Sequence, residues 1–488
     1  MLIKNKKECD MNSEVDILVI GAGISGIGLS YYIKQLCPQK SLIILEGREQ
    51  LGGTWSLFKY PGVRSDSDMY TYGYQFNPWT EQDSLATGDR ICDYLKSTAN
   101  KFDIDKHIHY QHKVTHLNWN SDIKRWEVHV STPQGNNVIH ANYVFSCSGY
   151  YNYKEGHAPE VEGSDNFKGT IVHPQFWPES LDYSDKKVVV IGSGATAVTL
   201  VPSLAKRAAH VTMLQRSPSY ILSRPQRDLF TRVTQRIFSA PTASKIIRKR
   251  NIWLGNFYFK FMTKYPELAK KIITKERGKL LTENIDAAHF SPSYNPWEQR
   301  LCLVPDADLF NALNRKQASI ITDGISHFTE TGISTVSGKH IDADIVVTAT
   351  GLKLQFLSGI DVCVDSVVQN TGQKMFYQGA LLQDIPNFAM VFGYTNASWT
   401  LKVELVSKYI CRLISHVDEK QANYFVPKAP SNITPEPFLN LSSGYIQRAQ
   451  SIIPKQGQIA PWRLDQDYDI DKKRLATASL DDIGLKIN

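Results

Sequence analysis

Three groups of residues in this 488-residue chain have types and spacings suited to chemistry. The first is the run Gly21-x-Gly23-x-Ser25-Gly26. The second repeats it as Gly192-Ser193-Gly194-Ala195-Thr196-Ala197. In each, the leading glycine allows a tight turn and the next lets the backbone approach a pyrophosphate. The last small residue lets a helix pack closely on the preceding strand. That helix would offer unpaired N–H groups and its positive dipole end to the phosphates. The third group marks the end of the next strand in each repeat. Glu46 lies 25 residues after Gly21, and Arg216 with Ser217 lies 24 residues after Gly192. A carboxylate there accepts hydrogen bonds from ribose hydroxyls and repels a 2′-phosphate, whereas an arginine fork and a hydroxyl suit that phosphate. The repeats therefore read as two unequal dinucleotide sites, one for the diol of FAD or NAD and one for NADPH. An empty βα turn and a solvated loop cation are the plain alternatives.

Such sites need parallel strands to carry them. Val15–Ile20 and Lys187–Ile191 are β-branched apolar runs, each followed by a glycine turn and a helix-compatible stretch. Continuous apolar runs suit strands covered on both faces. Two more glycine-ended runs, Tyr143–Gly149 and Asp344–Gly351, look like points where the chain leaves one sheet for another. The expected fold is α/β, with two Rossmann-like dinucleotide-binding domains, the first for FAD or NAD and the second for NADPH, and a helical insertion. The expected boundaries are 12–155 for the first part of the first domain and 156–225 for the first part of the NADPH domain. A basic helical insertion follows over 226–294, with a return to the NADPH domain over 295–317. The second part of the first domain is then expected over 318–410 and a C-terminal extension over 411–488. Met11 precedes the first strand, so residues 1–10 read as a dispensable extension.

Hydrophobic residues at 42% and charged residues at 21% describe an ordinary globular chain and exclude a disordered tail or a disulfide miniprotein. The net charge of +7 is unevenly placed. Residues 224–279 hold 15 Lys and Arg against 3 Asp and Glu, so the rest of the chain is net acidic. A charge confined in this way argues against nucleic acid as a partner. It leaves two readings of the insertion: a lid over the site, which is favoured, and an amphipathic surface resting on anionic lipid. Seven scattered cysteines without a Cys-x-x-Cys pair suit a reducing cytoplasm and offer no dithiol chemistry. That places the chain in the cytoplasm, with peripheral contact at the inner face of the membrane if the lipid reading holds. The apolar stretch Ile17–Ile33 is broken by glycines and reads as strand, turn and helix, not as a membrane span. His107, His109, His112 and His116 lack a nearby Cys or acid to complete a tetrahedral set, so no metal is expected. No Gly-x-Ser-x-Gly elbow supports a hydrolase.

Between the two glycine motifs stands Phe167-x-Gly169-x-x-x-His173-x-x-x-Trp177-Pro178. From the residues alone, it is a His and a Trp in a linker between two cofactor domains, with His173 able to bond backbone on both sides. The stretch resembles the fingerprint of type I Baeyer–Villiger flavin monooxygenases, flanked by their two Rossmann motifs. The related N- and S-oxygenating enzymes usually carry Tyr at the position of Trp177. The likeness extends through Gly52-Gly-Thr54-Trp55, Tyr60–Asp68, Asn295–Pro305, Gly393–Trp399 and Pro461-Trp-Arg-Leu. In this detail the chain is similar to the ethionamide-activating monooxygenase subgroup. The resemblance implies NADPH- and O2-dependent conversion of ketones to esters or lactones through a C4a-peroxyflavin, with sulfoxidation of thioethers or thiocarbonyls as a side activity. It implies FAD contacts at Gly21, Gly23, Ser25, Gly26, Glu46, Thr54, Trp55, Asp66 and Val114. It implies NADP contacts at Arg64, Ser65, Asp66, Gly192, Ser193, Gly194, Ala195, Thr196, Ala197, Val198, Thr199, Arg216 and Ser217. Arg300 matches the family's active-site arginine, with Gln299 where many relatives have Lys.

A guanidinium at Arg300 would stabilise negative charge developing on oxygen in a dry pocket, an effect typically worth about 3–4 kcal/mol. Asp66 would hold that arginine in place and keep its charge paired; a plain structural salt bridge is the alternative. Three rival functions remain at this stage. They are an N- or S-oxygenating flavin monooxygenase, an NADPH-dependent disulfide reductase without its dithiol, and a flavin-bearing scaffold or redox sensor at a membrane surface.

Overall fold

The run Glu14–Ile20 forms strand β1, in which Ile17, Leu18 and Val19 have no exposed surface. A strand covered on both faces belongs inside a parallel sheet. After a glycine turn, helix α1 (Ile24–Leu36) leads to β2 (Leu42–Leu45), which pairs in parallel with β1. Strand β3 (Gly135–Ser146) pairs in parallel with β1 on its other side. These strands sit within an eleven-stranded sheet whose outer part is an antiparallel meander. The computed structural model describes residues 14–438 and 444–488. The extension read over residues 1–10 lies outside these described residues.

The chain leaves this sheet along β4 (Tyr151–Gly156) and enters a second one at β5 (Thr170–Val172). The second glycine motif follows β6 (Lys187–Ile191) and opens helix α2 (Ala195–Leu204), which returns to β7 (His210–Gln215). A helical excursion follows: α3 (Leu229–Ile237), α4 (Ala240–Lys264) and α5 (Pro266–Gly278). Strand β8 (Cys302–Pro305) pairs with Ile221–Arg224, and β9 (Ala318–Thr322) and β10 (Ile345–Thr348) complete the second sheet. Its five strands run in the order β9-β7-β6-β10-β5, all parallel. The chain returns along β11 (Leu352–Leu354), which pairs antiparallel with β4. Helix α6 (Trp399–Glu419) then covers α1, and α7 (Tyr468–Thr477) packs on α6. Separate hydrophobic clusters lie on the two faces of each sheet: Ile17 and Val19 on one side of β1, Leu18 and Ile20 on the other. Val188 and Val190 oppose Val189 and Ile191 across β6 in the same way.

Two boundaries differ from the sequence reading. The return to the first sheet was expected near residue 318, but β9 and β10 both pair within the second sheet and the chain crosses back only after Thr348. A β-branched run carries no mark of which of two parallel sheets it will join. The boundary drawn between 410 and 411 falls inside α6, whose buried positions continue through Cys411, Leu413 and Ile414.

Candidate active site

The carboxyl ends of the parallel strands meet at a cleft of about 1070 Å³, which is where α/β sheets place their ligands. Gly21, at the end of β1, has φ +99°, and a Cβ there would sit 2.8 Å from the carbonyl oxygen of Cys147. Gly192, at the end of β6, repeats this with φ +136°. Gly26 serves packing: a Cβ would lie 1.9 Å from the Gly21 carbonyl oxygen, so α1 could not close on its strand. The middle glycines differ. A Cβ on Gly23 would meet nothing nearer than Gly53 at 3.6 Å, and one on Gly194 would meet nothing within 4 Å. The space they leave is not claimed by protein. Neither α1 nor α2 has a side-chain cap, so their first-turn amides are not taken up by a side chain of their own N-cap. Uncapped first-turn amides beside open backbone suit phosphate groups. The residues present thus fit two dinucleotides.

Glu46 follows β2 and is buried on the cleft lining. Its carboxylate accepts the Ala22 N–H at 2.9 Å and the Arg48 N–H at 3.0 Å. Burial nevertheless pushes its pKa up from the usual carboxylate value. Ser25, Thr54, Trp55 and Val114 line the same part of the cleft. The indole N–H of Trp399 donates to Ser25 Oγ at 2.8 Å, and that of Trp55 donates to the Tyr72 hydroxyl at 2.7 Å. Thr54 Oγ1 lies 3.4 Å from the Tyr153 hydroxyl. The sequence reading did not assign Tyr72 or Tyr153. The dense run Tyr70-Thr-Tyr72-Gly-Tyr74 was the available signal for the first; nothing marked the second.

On the second-sheet side, Ala195, Thr196 and Thr199 line the cleft. Gly192, Ser193 and Gly194 form the turn behind them, and Ala197 and Val198 are buried against the sheet. Arg216 and Ser217 are exposed just beyond β7, outside the cleft lining. Their loop still abuts the glycine turn: Gly192 N–H donates to Leu214 O at 2.8 Å, and the Ser193 and Ser219 hydroxyls are 2.9 Å apart.

The loop Arg64–Asp68 bridges the two sides. Arg64 lines the cleft but forks onto Asp308 at 2.6 and 3.4 Å, a partner the sequence did not suggest. The Ser65 hydroxyl is buried and engaged with the Ser67 backbone. Arg300 Nη2 donates to Asp66 Oδ1 at 3.1 Å, so the expected pair forms across 234 residues. Arg300 stands on the irregular stretch entering β8 and lines the cleft, with its side chain 47% exposed. Two residues after Asp66, the buried Asp68 accepts from Arg224 at 2.7 Å and from Asn251 of α4.

The fingerprint residues cluster at the crossing between sheets. His173 Nε2 lies 3.2 Å from Gly351 O, and Nδ1 accepts the Gln175 N–H at 3.2 Å. Gly156 at the end of β4 packs so tightly that a Cβ would meet the imidazole at 2.2 Å. His173 therefore touches both connecting strands, and burial holds its pKa below the usual histidine value. A Cβ on Gly169 would collide with Asp344 O and with the ring of Phe167. Phe167 and Trp177 are buried in the second domain, on opposite faces of its sheet.

With this geometry in view, the comparisons with known proteins are specific. Residues 14–393 match the family model for flavin-binding monooxygenase-like proteins, and the chain belongs to that family. It is 48% identical over 476 residues to the "Probable FAD-binding monooxygenase AlmA" of an Acinetobacter species, covering 97% of this chain and 96% of that one. It is 45% identical over 479 residues to the FAD-containing monooxygenase EthA of Mycobacterium tuberculosis, covering 98% of each. Among solved structures, an oxidized steroid monooxygenase bound to NADP superposes with a TM-score of 0.76 at 20% identity, covering 97% of this chain and 99% of that one. An ε-caprolactone-bound cyclohexanone monooxygenase superposes with a TM-score of 0.73 at 21% identity, covering 97% and 100%. These two likenesses establish the shared fold.

Proposed function

We propose that this flavoprotein is an NADPH- and O2-dependent monooxygenase that inserts one oxygen atom beside the carbonyl of a ketone. The balance is ketone, O2, NADPH and a proton giving ester or lactone, NADP⁺ and water. The same site would oxygenate the sulfur of thioethers or thiocarbonyls. The observation that carries the reading is the Arg300–Asp66 pair on the lining of a cleft shared by Gly21, Gly23 and the first turn of α2. Among the structural relatives, ε-caprolactone is cyclohexanone with one oxygen inserted beside its carbonyl, which supports the ketone reading.

Bound FAD would supply the reaction with O2, and NADPH the hydride that reduces the flavin. The chain's own residues do the rest. Gly21, Gly23 and the first turn of α1 would receive the flavin dinucleotide's phosphates, with Glu46 on its ribose hydroxyls. Gly192–Thr196 would receive those of NADPH, with Arg216 and Ser217 on its 2′-phosphate. Attack on a carbonyl moves negative charge onto oxygen, and Arg300 offers a fixed cation to that charge while Asp66 sets its direction. Trp55, Tyr72 and Trp399 wall the flavin side with rings whose polar atoms are already paired, which limits water there.

The rival reading is N- or S-oxygenation as the main activity, in which a soft nucleophile needs no cation opposite a developing alkoxide. Purified yellow protein assayed for NADPH consumption against ketones and sulfides, with products identified, separates the readings. Esters from simple ketones are expected, and sulfoxides without any ester would overturn the ketone assignment.

A further inference from the structure

We propose that helices α3, α4 and α5 dock this protein on the surface of an anionic lipid bilayer. An amphipathic helix of a globular protein turns its apolar stripe to the core. α3 does the opposite: its buried residues are Thr231 and Thr234. Leu229, Val233 and Ile237 form a stripe at every fourth position and face outward, Leu229 71% and Ile237 68% exposed. α4 carries a second stripe. Trp253, Phe257, Phe261 and Tyr265 recur every four residues, and their rings follow one another at 5.7, 6.2 and 5.8 Å. Trp253 is 64% exposed, and Phe257 and Tyr265 are about half exposed. Leu268 and Ile272, again four apart and half exposed, continue the apolar surface onto α5.

The cations of this region stand beside these stripes. Arg232, Arg236, Lys245, Lys249, Lys271 and Lys275 are exposed and make no ion pair among the described residues. Lys264 lies 5.3 Å over the ring of Tyr265. Apolar rings flanked by long cationic side chains fit a headgroup layer, where the rings enter the acyl boundary and the charges meet lipid phosphates. Other partners fit less well. A second copy of this face would set the exposed cations Arg232, Arg236, Lys245, Lys249, Lys271 and Lys275 against their own counterparts. A nucleic acid would answer the charge but leave Leu229, Val233 and Ile237 against phosphates. No helix among the described residues is long and apolar enough to cross a membrane, so this is surface attachment. The opposite side of α4 reaches the cleft: Phe259 lines it and packs on Trp297 at 5.1 Å. A bilayer under the outer stripe would lie about one helix diameter, roughly 10–12 Å, from the cleft wall.

The test uses the full flavin-loaded chain with sedimenting vesicles, either pure phosphatidylcholine or equimolar phosphatidylcholine and phosphatidylglycerol. Partition onto the anionic vesicles is expected to be about tenfold or more tighter and to weaken with salt. The double variants Lys271→Glu/Lys275→Glu and Trp253→Ser/Phe257→Ser should each lose about tenfold of it while keeping wild-type flavin content and melting temperature. Brominated lipid should quench tryptophan fluorescence less in the Trp253→Phe variant. Equal partition on both vesicles, no partition on either, or variants that bind like wild type would overturn the proposal. So would a concentration-dependent dimer, seen by sedimentation velocity, that the aromatic variant abolishes. None of these readouts depends on which substrate is oxygenated.

Discussion

Replacing Arg300 by alanine gives the sharpest test of the site, because the structure fixes how large the loss should be. A fully desolvated donor aimed at developing negative charge is worth about 3–4 kcal/mol. A solvent-exposed ion pair is worth about 1 kcal/mol or less. Arg300 lies between these limits: it is 47% exposed, yet its guanidinium is anchored at 3.1 Å to Asp66 on the cleft lining. An intermediate contribution of about 2 kcal/mol corresponds to roughly a thirtyfold loss of product formation. Stopped-flow reduction of the flavin by NADPH should be unchanged in Arg300→Ala, because the role proposed for Arg300 comes after hydride transfer. Ester formation under saturating ketone should fall by about thirtyfold. Arg300→Lys should recover part of this, since it keeps the charge and loses the fork. Asp66→Asn should cost no more than about fivefold, the equivalent of one partly exposed pair. Ester formation by Arg300→Ala at the wild-type rate would remove Arg300 from the chemistry. A loss beyond about a thousandfold would refute the intermediate value and assign Arg300 the full weight of a desolvated donor.

Arg216→Ala should lower the preference for NADPH over NADH by about tenfold to a hundredfold in kcat/KM, the worth of one charge-assisted hydrogen bond; an unchanged ratio contradicts the phosphate assignment. His173 is held neutral by burial, with Nδ1 accepting one backbone N–H and Nε2 facing a backbone carbonyl. Its folded pKa is depressed, so the folded chain binds the proton less readily than the unfolded one. Its contribution to stability is therefore complete above about pH 6.5 and is lost as pH falls through that value toward the folded pKa. The melting temperature should drop across this window and drop less in His173→Gln. Both should be measured in a His157→Gln background, because His157 is also held low and titrates alongside.

Local signals were legible and distant partnerships were not. The two strand–glycine–helix units could be read because each is a contiguous stretch in which steric need dictates residue type: φ +99° at Gly21, a close approach at Gly26. Glu46 could be placed because α1 and β2 fix its distance from the turn. The partner of Arg64 could not, since Asp308 lies 244 residues away and several acids would serve as well. Sheet membership of β9 and β10 was hidden because both sheets accept the same β-branched runs. The outward faces of α3 and α4 were hidden for a related reason: a periodic stripe reports that a helix is amphipathic, not which side faces the core. Arg300 was matched by resemblance, but its exposure depends on an irregular stretch whose course no periodicity encodes.

The second domain interrupts the first, and its two covalent connections, β4 and β11, run side by side as one ribbon braced by His173. Three ion pairs also hold the first domain's loop 64–68: Arg64 with Asp308, Arg300 with Asp66, and Arg224 with Asp68. The last pair differs from the other two, because Asp68 is buried and burial raises its pKa despite the arginine. Leaving that carboxylate without Arg224 would strand a buried charge, at a cost of about 3–5 kcal/mol, whereas a partly exposed pair costs about 1 kcal/mol or less to open. The loop is thus anchored most firmly at Asp68. Asp66, the partner of Arg300, is therefore carried by a loop whose firm anchor lies two residues further on, at Asp68.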